Sequence, residues 1–526
     1  MAQEKIAPAE VGAAETAPVG RRLTLAVSGL LLGMLLASLD QTVVATALWT
    51  IVRDLDPAHG LSRLSWVVTV YVLAATATTP LYGRISDLIG RRPLYAIGVG
   101  FFLLGSAFAA VAQSLEQLIA ARAVQGIGAG GLIGLTFAVV ADLAPGRSRG
   151  RYQGYFGAVF AVGSIAGPLL GGFVAQQSSW PDGFASWRWI FLVNVPLGLV
   201  GLAMVLPGVP RRTGPPQPVR VDVPGALLLV TGVCAALLVA EWGGRRYPWS
   251  SPPLLALAGA AALLLVAFLL WEVRLGRARP EPGRRVAAPL VPLRMFAEPV
   301  LRTAVPVAAA VGATTFGAII YISLYLQITR GLGPAAAGLH LVPMMVGVLL
   351  GSTGSGAVIS RVGRYEFFPA LGTGLAALGL LLLAGLGAAS SPLVLGADTF
   401  LLGLGLGLVT QVVVLAVQNA VSRPQLGAAT GTVTFFRQLG GSFGTAVFGA
   451  ILTAGLAAEA AGAELVGDPA RLRTVAPAEA RAAVNAFVDA LHVVFLSAAA
   501  IMVVAFLLSL RLLVVLRRGI APAPAG

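Results

Sequence analysis

Asp40 and Arg122 are charged residues inside long apolar stretches of the sequence. A charge at the centre of a bilayer costs at least about 2.5–3.5 kcal/mol, so such a residue must be paired, protonated or exposed to a wet cavity. Burial favours the neutral form of a carboxylic acid, and a nearby arginine favours the ionised form. We therefore predict that Asp40 carries proton coupling and that Arg122 assists it. The structural alternatives are a static ion pair and, for Asp40, a position near the outer interface.

The short basic segment 83–92 separates two apolar stretches and predicts a tight hairpin that could act as a conformational switch. Gly90 permits a positive φ, which a sharp turn needs. Asp87 can pair with an arginine or with a helix N-terminus. An ordinary basic loop is the alternative. The residues of the predicted switch loop are Gly83, Arg84, Asp87, Gly90, Arg91 and Arg92.

A later apolar stretch contains closely spaced glycines around one proline. The proline removes a backbone donor and kinks a helix, while the glycines allow another helix to approach closely. A gating role and plain helix packing both remain open. The residues of this motif are Gly163, Gly167, Pro168, Gly171 and Gly172.

Other polar and aromatic side chains in the apolar stretches are weaker candidates for a substrate cavity. Packing or interface anchoring is an equal alternative for the aromatic ones. These candidates are Gln41, Gln125, Asn194, Phe316, Tyr321, Tyr325, Gln327, Gln411 and Arg437. His340 and His492 are expected to be satisfied surface groups, and Glu272 is expected at the membrane interface. Three histidines and one cysteine predict no metal site, and no GxxxxGK[ST] motif predicts nucleotide binding, so no cofactor is expected.

The elements that position these residues are predicted to be transmembrane helices. Only 11% of the residues are charged and the mean hydropathy is +0.86, whereas about a quarter are charged in soluble proteins. Fourteen apolar runs are long enough to cross a hydrocarbon core of about 30 Å. Their approximate ranges are 23–48, 65–83, 93–112, 115–141, 152–175, 188–207, 222–241, 253–273, 300–327, 336–359, 367–388, 393–417, 427–455 and 487–513. Arg and Lys concentrate in alternate loops, which places both termini in the cytoplasm.

An internal repeat divides the chain. Gly83 and Gly90 align with Gly356 and Gly363, and Gly167 aligns with Gly440 at the same offset. Related halves are a common plan for transporters, with the substrate site between them. The expected units are a disordered cytoplasmic tail (1–22), an N-terminal six-helix bundle (23–207), a linker with two inserted helices and a basic cytoplasmic loop (208–299), a C-terminal six-helix bundle (300–513) and a cytoplasmic tail (514–526). The long outer loop 456–486 is expected to form a short surface helix.

Together these motifs resemble the fourteen-span drug:proton antiporters of the major facilitator superfamily over about residues 23–513. The matching segments are Leu39–Thr42, Gly83–Arg92, Arg122–Gly126 and Gly163–Gly172. The resemblance implies an all-α integral membrane fold and proton-driven efflux of lipophilic, often cationic, compounds. It also implies that Asp40 carries coupling. The second copy of the loop motif departs from the pattern, because Ser360 stands where Asp87 stands in the first.

We expect a non-enzymatic exporter in the plasma membrane that works by alternating access as a monomer. Its partners would be protons, small lipophilic substrates and the lipid bilayer, without nucleic acid. Three alternatives stay open. The chain could export one dedicated lipid or natural product, it could be a proton-coupled uptake symporter, or it could be a sensor or enzyme on a transporter-like scaffold.

Overall fold

The computed structural model describes residues 20–56, 63–144, 148–176, 187–210, 219–244, 246–277, 286–457 and 476–520. Almost all of these residues are helical. The helices are α1 (Gly20–Leu55), α2 (Leu64–Ile89), α3 (Arg91–Val111), α4 (Leu115–Leu143), α5 (Ser148–Gln176), α6 (Arg188–Leu192), α7 (Asn194–Val205), α8 (Val223–Trp242), α9 (Pro252–Arg277), α10 (Pro299–Arg330), α11 (Pro334–Leu339), α12 (Val342–Val362), α13 (Phe368–Leu383), α14 (Pro392–Ala420), α15 (Leu426–Ala457) and α16 (Pro477–Ile520).

Every predicted span overlaps at least one of these helices. Twelve helical segments among the described residues are long and apolar enough to cross a membrane. The two remaining predicted spans correspond to α2 and α13. Helix α13 has only 16 residues, and α2 carries four threonines, two tyrosines and a tryptophan, which lower its hydropathy.

Two predicted spans are each interrupted at a proline. The break between α6 and α7 precedes Pro196, and the break between α11 and α12 precedes Pro343. Proline cannot donate the backbone hydrogen bond that continues a helix. The first break is important for the site, because Asn194 begins the second segment.

Three predictions about the chain ends and the long outer loop need correction. Residues 20–22, predicted as part of a disordered tail, form the first turn of α1. Helix α16 continues to Ile520, beyond the predicted end at residue 513. Residues 477–486 belong to the same helix instead of a separate surface helix, while residues 458–475 lie outside the described part of the chain.

The two predicted halves pack in the same internal pattern. In the first half α1 packs on α5, α2 on α4 and α3 on α4. In the second half α10 packs on α15, α12 on α14 and α13 on α14. Gly90 and Gly363, which align in the repeat, also share a positive φ of 98° and 80°. The repeat seen in the sequence therefore extends to the packing of the helices.

The halves meet along two seams, α2 against α15 and α5 against α12. Because α2 aligns with α12 and α5 with α15, each seam is the pseudo-symmetric counterpart of the other. The inserted helices α8 and α9 lie outside this core: α9 packs chiefly on α8, and α8 contacts α2 and α15. One feature departs from the all-α prediction, since β1 (Val219–Val221) and β2 (Val286–Ala288) form a short parallel pair.

Candidate functional site

The carboxylate of Asp40 is fully shielded from solvent in α1, and side chains from α4 and α7 surround it. Nη1 of Arg122 forms an ion pair and a hydrogen bond with Oδ2. Gln125, one turn further along α4, donates from Nε2 to Oδ1 at 2.8 Å. Asn194, the first residue of α7, donates from Nδ2 to the same oxygen at 3.1 Å. The two residues predicted to act together are thus in direct contact, and both carboxylate oxygens accept hydrogen bonds.

Ser106 of α3, which no pattern in the sequence indicated, completes this buried network. Its hydroxyl accepts from Gln125 at 3.2 Å and from Asn194 at 3.0 Å, and it donates to the carbonyl of Phe191 at 2.9 Å. Gln125 is fully buried and Asn194 is 5% exposed. In this conformation both residues bind the Asp40 carboxylate instead of lining an open substrate cavity, which corrects their predicted position.

Arg122 is held by contacts beyond its carboxylate partner. Its Nε donates to the carbonyl of Val67 in α2 at 3.2 Å, and its guanidinium carbon lies 4.1 Å from the centroid of the Tyr71 ring. The Tyr71 hydroxyl in turn donates to the carbonyl of Ala37 in α1 at 3.1 Å. Aromatic faces attract cations. Tyr71, also missed in the sequence, therefore helps to fix the guanidinium between α1, α2 and α4.

The glycine motif of α5 packs against the helix that carries Asp40. A Cβ added to Gly167 would lie 1.8 Å from Oγ1 of Thr42, and one added to Gly171 would lie 1.9 Å from Oγ1 of Thr46. The Thr42 hydroxyl also donates to the carbonyl of Gly163 at 3.2 Å. No larger side chain fits at these contacts. Helix α1 is therefore held on one side by the buried network and on another by α5.

Pro168, in the same motif, lies inside α5 without ending it. Its side chain is 3.5 Å from the position of a Cβ on Gly338 in α11, a helix of the second half. Gly172 is partly accessible. The motif thus contacts α1 through its glycines and the second half through its proline.

The predicted switch loop joins the two halves through Asp87. Its carboxylate accepts hydrogen bonds from the backbone N–H groups of Gly427 at 3.0 Å and Ala428 at 2.9 Å. These N–H groups belong to the first turn of α15, where a helix leaves donors free and attracts negative charge. Arg91 pairs with the same carboxylate at 2.7 Å and with Asp142 of α4 at 2.8 Å. We call this arrangement of Asp87, Arg91 and the start of α15 the latch.

The other loop residues support the latch. Gly90 turns the chain between α2 and α3 with its positive φ, and Gly83 contacts the backbone of α15. The Arg84 side chain interacts electrostatically with both Asp87 and Glu272. Arg92 is partly accessible.

The second copy of the motif forms no such latch. Ser360, at the position that corresponds to Asp87, donates to the carbonyl of Ala357 in its own helix at 2.8 Å. The close helix approach is nevertheless retained: a Cβ on Gly356 would lie 2.6 Å from the carbonyl oxygen of Gly150 in α5. The α5–α12 seam therefore keeps the packing of its counterpart without its charge.

A neutral polar contact links the halves at the end of the bundle that also carries the latch. Gln153 of α5 donates from Nε2 to Oε1 of Gln418 in α14 at 2.6 Å. Gln418 donates in turn to the carbonyl of Phe137 in α4 at 3.2 Å and to the hydroxyl of Thr430 in α15 at 3.1 Å. Gln418 thus connects four helices of both halves. Its position at the end of an apolar run was the only signal in the sequence.

Three of the candidate cavity residues are engaged within the second half. The Tyr321 hydroxyl donates to the carbonyl of Thr445 at 2.9 Å, and the Tyr325 hydroxyl donates to the carbonyl of Gly387 at 2.8 Å. Gln327 donates to a serine one turn earlier in α10. These contacts favour the packing alternative for both tyrosines.

The remaining cavity candidates differ in their exposure. Phe316 and Arg437 are both partly accessible, and so is Gln41. The ring of Phe316 lies against Gly441 of α15, 2.5 Å from the position of a Cβ there. Gln411 is 6% exposed, and its Oε1 has no hydrogen-bond partner among the described residues.

His340, His492 and Glu272 have structural partners. His340 contacts a carbonyl of its own helix turn at 2.9 Å, and His492 contacts the carbonyl of Leu386 at 2.7 Å. Glu272 is 2% exposed and accepts from the backbone N–H of Leu290 at 2.9 Å, so it is bonded to the segment that follows α9. Among the described residues, no cluster of three or more His, Cys, Asp or Glu could hold a metal ion.

Comparison with known proteins agrees with this architecture. The family model of the Major Facilitator Superfamily matches residues 30–228 and 225–445. An uncharacterized MFS-type transporter of Mycobacterium tuberculosis is 37% identical over 503 residues, which cover 94% of this chain and 70% of the relative. The multidrug transporter protein MdtP of Bacillus subtilis is 32% identical over 435 residues, covering 82% of this chain and 75% of MdtP.

Solved structures share the fold at low sequence identity. The human organic anion transporter MFSD10 aligns with a TM-score of 0.62 at 18% identity, covering 93% of this chain and 99% of that one. The proton:xylose symporter XylE aligns with a TM-score of 0.59 at 15% identity, covering 93% and 95% of the two chains. The family match and the curated relatives identify the chain as a member of the Major Facilitator Superfamily, whose members are membrane transporters and not enzymes.

Proposed function

We propose that the protein is a proton-coupled exporter of lipophilic compounds that works by alternating access. The observation that carries this proposal is the buried Asp40–Arg122 pair with its hydrogen-bonded neighbours. Relatives named as multidrug transporters and efflux pumps, at about 30% identity, support the direction of transport.

Proton uptake at Asp40 would change how α1 is held. With its carboxylate ionised, α1 is tied to α4 by a fully buried ion pair. Neutralising one member of a buried pair typically costs 3–5 kcal/mol, because the other charge is left uncompensated. A proton on Asp40 therefore weakens the attachment of α1 to α4. Since the other side of α1 packs on the glycines of α5, the change reaches the α5–α12 seam between the halves.

The latch would select between the two access states. Asp87 binds the first turn of α15 only while α2 and α15 are together. We assign this end of the bundle to the cytoplasm, in agreement with the excess of basic residues in the loops there. The latched protein is then closed toward the cytoplasm, and its release opens the site to substrate from inside.

The membrane arrangement follows from assigning the latch end of the bundle to the cytoplasm. We propose fourteen membrane-spanning segments, the twelve apolar ones together with α2 and α13, and cytoplasmic termini. The protein would reside in the plasma membrane as a monomer, driven by the proton gradient without a cofactor.

Export of a lipophilic dye from proteoliposomes or inverted vesicles tests the coupling. Collapsing the proton gradient should stop transport, and Asp40→Asn should abolish the response to the gradient. Asp489→Asn is the matched control, because the side chain of Asp489 is 75% exposed and lies outside the network. Full gradient-driven export by Asp40→Asn would refute the proposal, and proton-driven uptake would reassign the protein as a symporter.

A further inference from the structure

Arg437 is a cation deep in the second half that has no counter-ion. It lies roughly 17 Å along the axis from the first residue of α15, well inside a hydrocarbon core of about 30 Å. Within the described part of the chain it forms no ion pair and no hydrogen bond. Arg122, by contrast, has a carboxylate, an amide oxygen and a carbonyl as partners. The buried charges of the first half are balanced, and the charge on Arg437 is not.

The face of α15 that carries Arg437 points into the protein and not toward lipid. Gly441 and Gly444 follow Arg437 at intervals of one and two turns, so the three residues lie on one stripe. Gly441 contacts the Phe316 ring, and Gly444 contacts Ala313, both in α10. The neighbouring Gln438 lies 3.5 Å from the hydroxyl of Thr79 in α2. Arg437 is thus at the edge between α10 and the seam with the first half, where its side chain remains partly accessible.

A buried hydroxyl and an aromatic ring lie along the same face of α15 as Arg437. Thr434, one turn before Arg437 on the same helix, is 1% exposed, and its hydroxyl has no hydrogen-bond partner among the described residues. Phe316 lies one turn beyond, against Gly441. Along one face of α15 the order is therefore hydroxyl, guanidinium and aromatic ring. This order matches a molecule with an anionic head and an apolar body.

We propose that Arg437 is a substrate-binding residue that recognises the anionic group of a lipophilic carboxylic acid. This inference rests on the proposed function and names its substrate class. A guanidinium can bind a carboxylate through two parallel hydrogen bonds, and Thr434 can supply a third donor. The apolar body of the acid would lie against Phe316. An acidic substrate departs from the cationic class that the family resemblance implies.

Binding of a matched pair of ligands tests this inference. The probes are 1-naphthaleneacetic acid and its primary amide, which share an aromatic body and differ in charge at neutral pH. Binding to the purified full-length protein in nanodiscs would be measured by isothermal titration calorimetry. We expect the acid to bind at least tenfold more tightly than the amide. Arg437→Gln should remove that preference, and Arg437→Lys should restore part of it, because an ammonium keeps the charge but loses the bidentate geometry.

Asn419→Ala serves as the matched control, since Asn419 is exposed at the end of α14, and size-exclusion chromatography checks that each variant is folded. Should Arg437→Gln fail this check, Thr434→Val tests the same site and should weaken acid binding several-fold. Equal binding of acid and amide by the wild type, or an unchanged preference in the folded variants, would overturn the inference. Gradient-driven dye export without acid recognition would leave the proposed function intact, whereas acid binding without any gradient-driven flux would refute only the proposed function.

Discussion

Gly83 of α2 and Gly427 of α15 are in backbone contact across the two halves: a Cβ on Gly83 would lie 2.4 Å from the carbonyl oxygen of Gly427. The contact is adjacent to the latch, because the N–H of the same Gly427 donates to Asp87. The close approach of α2 to α15 and the latch therefore depend on one another. A larger residue at position 83 would separate the helices before Asp87 could reach the start of α15.

Gly83→Leu should abolish dye export and leave the protein folded. The added side chain meets backbone atoms of the opposite half, which cannot yield as a flexible side chain would. The seam would stay open while the packing within each half is preserved. Transport in proteoliposomes, together with size-exclusion chromatography of the purified variant, measures both effects.

Gly100→Leu is the control for this variant. Gly100 lies in α3, and a Cβ there has no other group within 4 Å. Export by this variant should remain within about twofold of the wild type, since isolated surface changes alter stability by only about 0.5 kcal/mol. Normal export by Gly83→Leu would contradict the assignment of α2–α15 as a moving seam.

Asp87→Ala should lower the apparent Tm and reduce export at least tenfold. The variant loses an ion pair and two backbone hydrogen bonds, and a hydrogen bond to a charged group contributes about 1.5–3 kcal/mol. Every 1.4 kcal/mol changes an equilibrium about tenfold, so the latched state would lose much of its population. Ser360→Ala, at the corresponding position of the second copy, should change neither quantity. Equal effects of the two substitutions would show that the latch has no special role.

Asn194→Ala should alter the pH profile of export. The Asn194 amide donates to Oδ1 of the buried Asp40 carboxylate. A hydrogen bond to a charged group contributes about 1.5–3 kcal/mol, so the variant loses part of what holds this carboxylate. The measurement is the rate of dye export across a series of external and internal pH values. An unchanged profile would mean that Asn194 does not influence the coupling carboxylate.

The contact between Asp40 and Arg122 could be predicted because helix geometry is regular. A fixed rise of 1.5 Å per residue gives each side chain a depth in the membrane, and both residues fall at a similar depth. Ser106 lies within two turns of the C-terminal end of α3, and Tyr71 lies within two turns of the N-terminal end of α2, so the same rise per residue gives both a similar depth. Depth alone does not say which helices are neighbours, so the hydrogen-bonding role of Gln125 and Asn194 was not predicted.

The long apolar runs predicted the helices, and the alignment of Gly83 with Gly356 predicted the repeat. Asp87 was expected to pair with an arginine or with a helix N-terminus, but nothing in the sequence identifies α15 as the helix that it binds, because the donors are backbone N–H groups. The cross-half contact of Gln153 with Gln418 was missed for a related reason. Two glutamines far apart in the chain become partners only when α5 and α14 are brought together by the remainder of the core.

The difference between Asp87 and Ser360 makes the two seams unequal in their response to ionic strength. The α2–α15 seam contains charged groups, and the Asp142 side chain that joins them is 37% exposed, so dissolved ions can screen part of its attraction. In the α5–α12 seam, Gly150, Gly154 and Gly157 contact backbone and uncharged side chains, and salt affects such contacts less. Two seams that correspond to each other in the repeat would then weaken to different extents as the salt concentration rises. The α2–α15 seam would become easier to open, whereas the α5–α12 seam would change little.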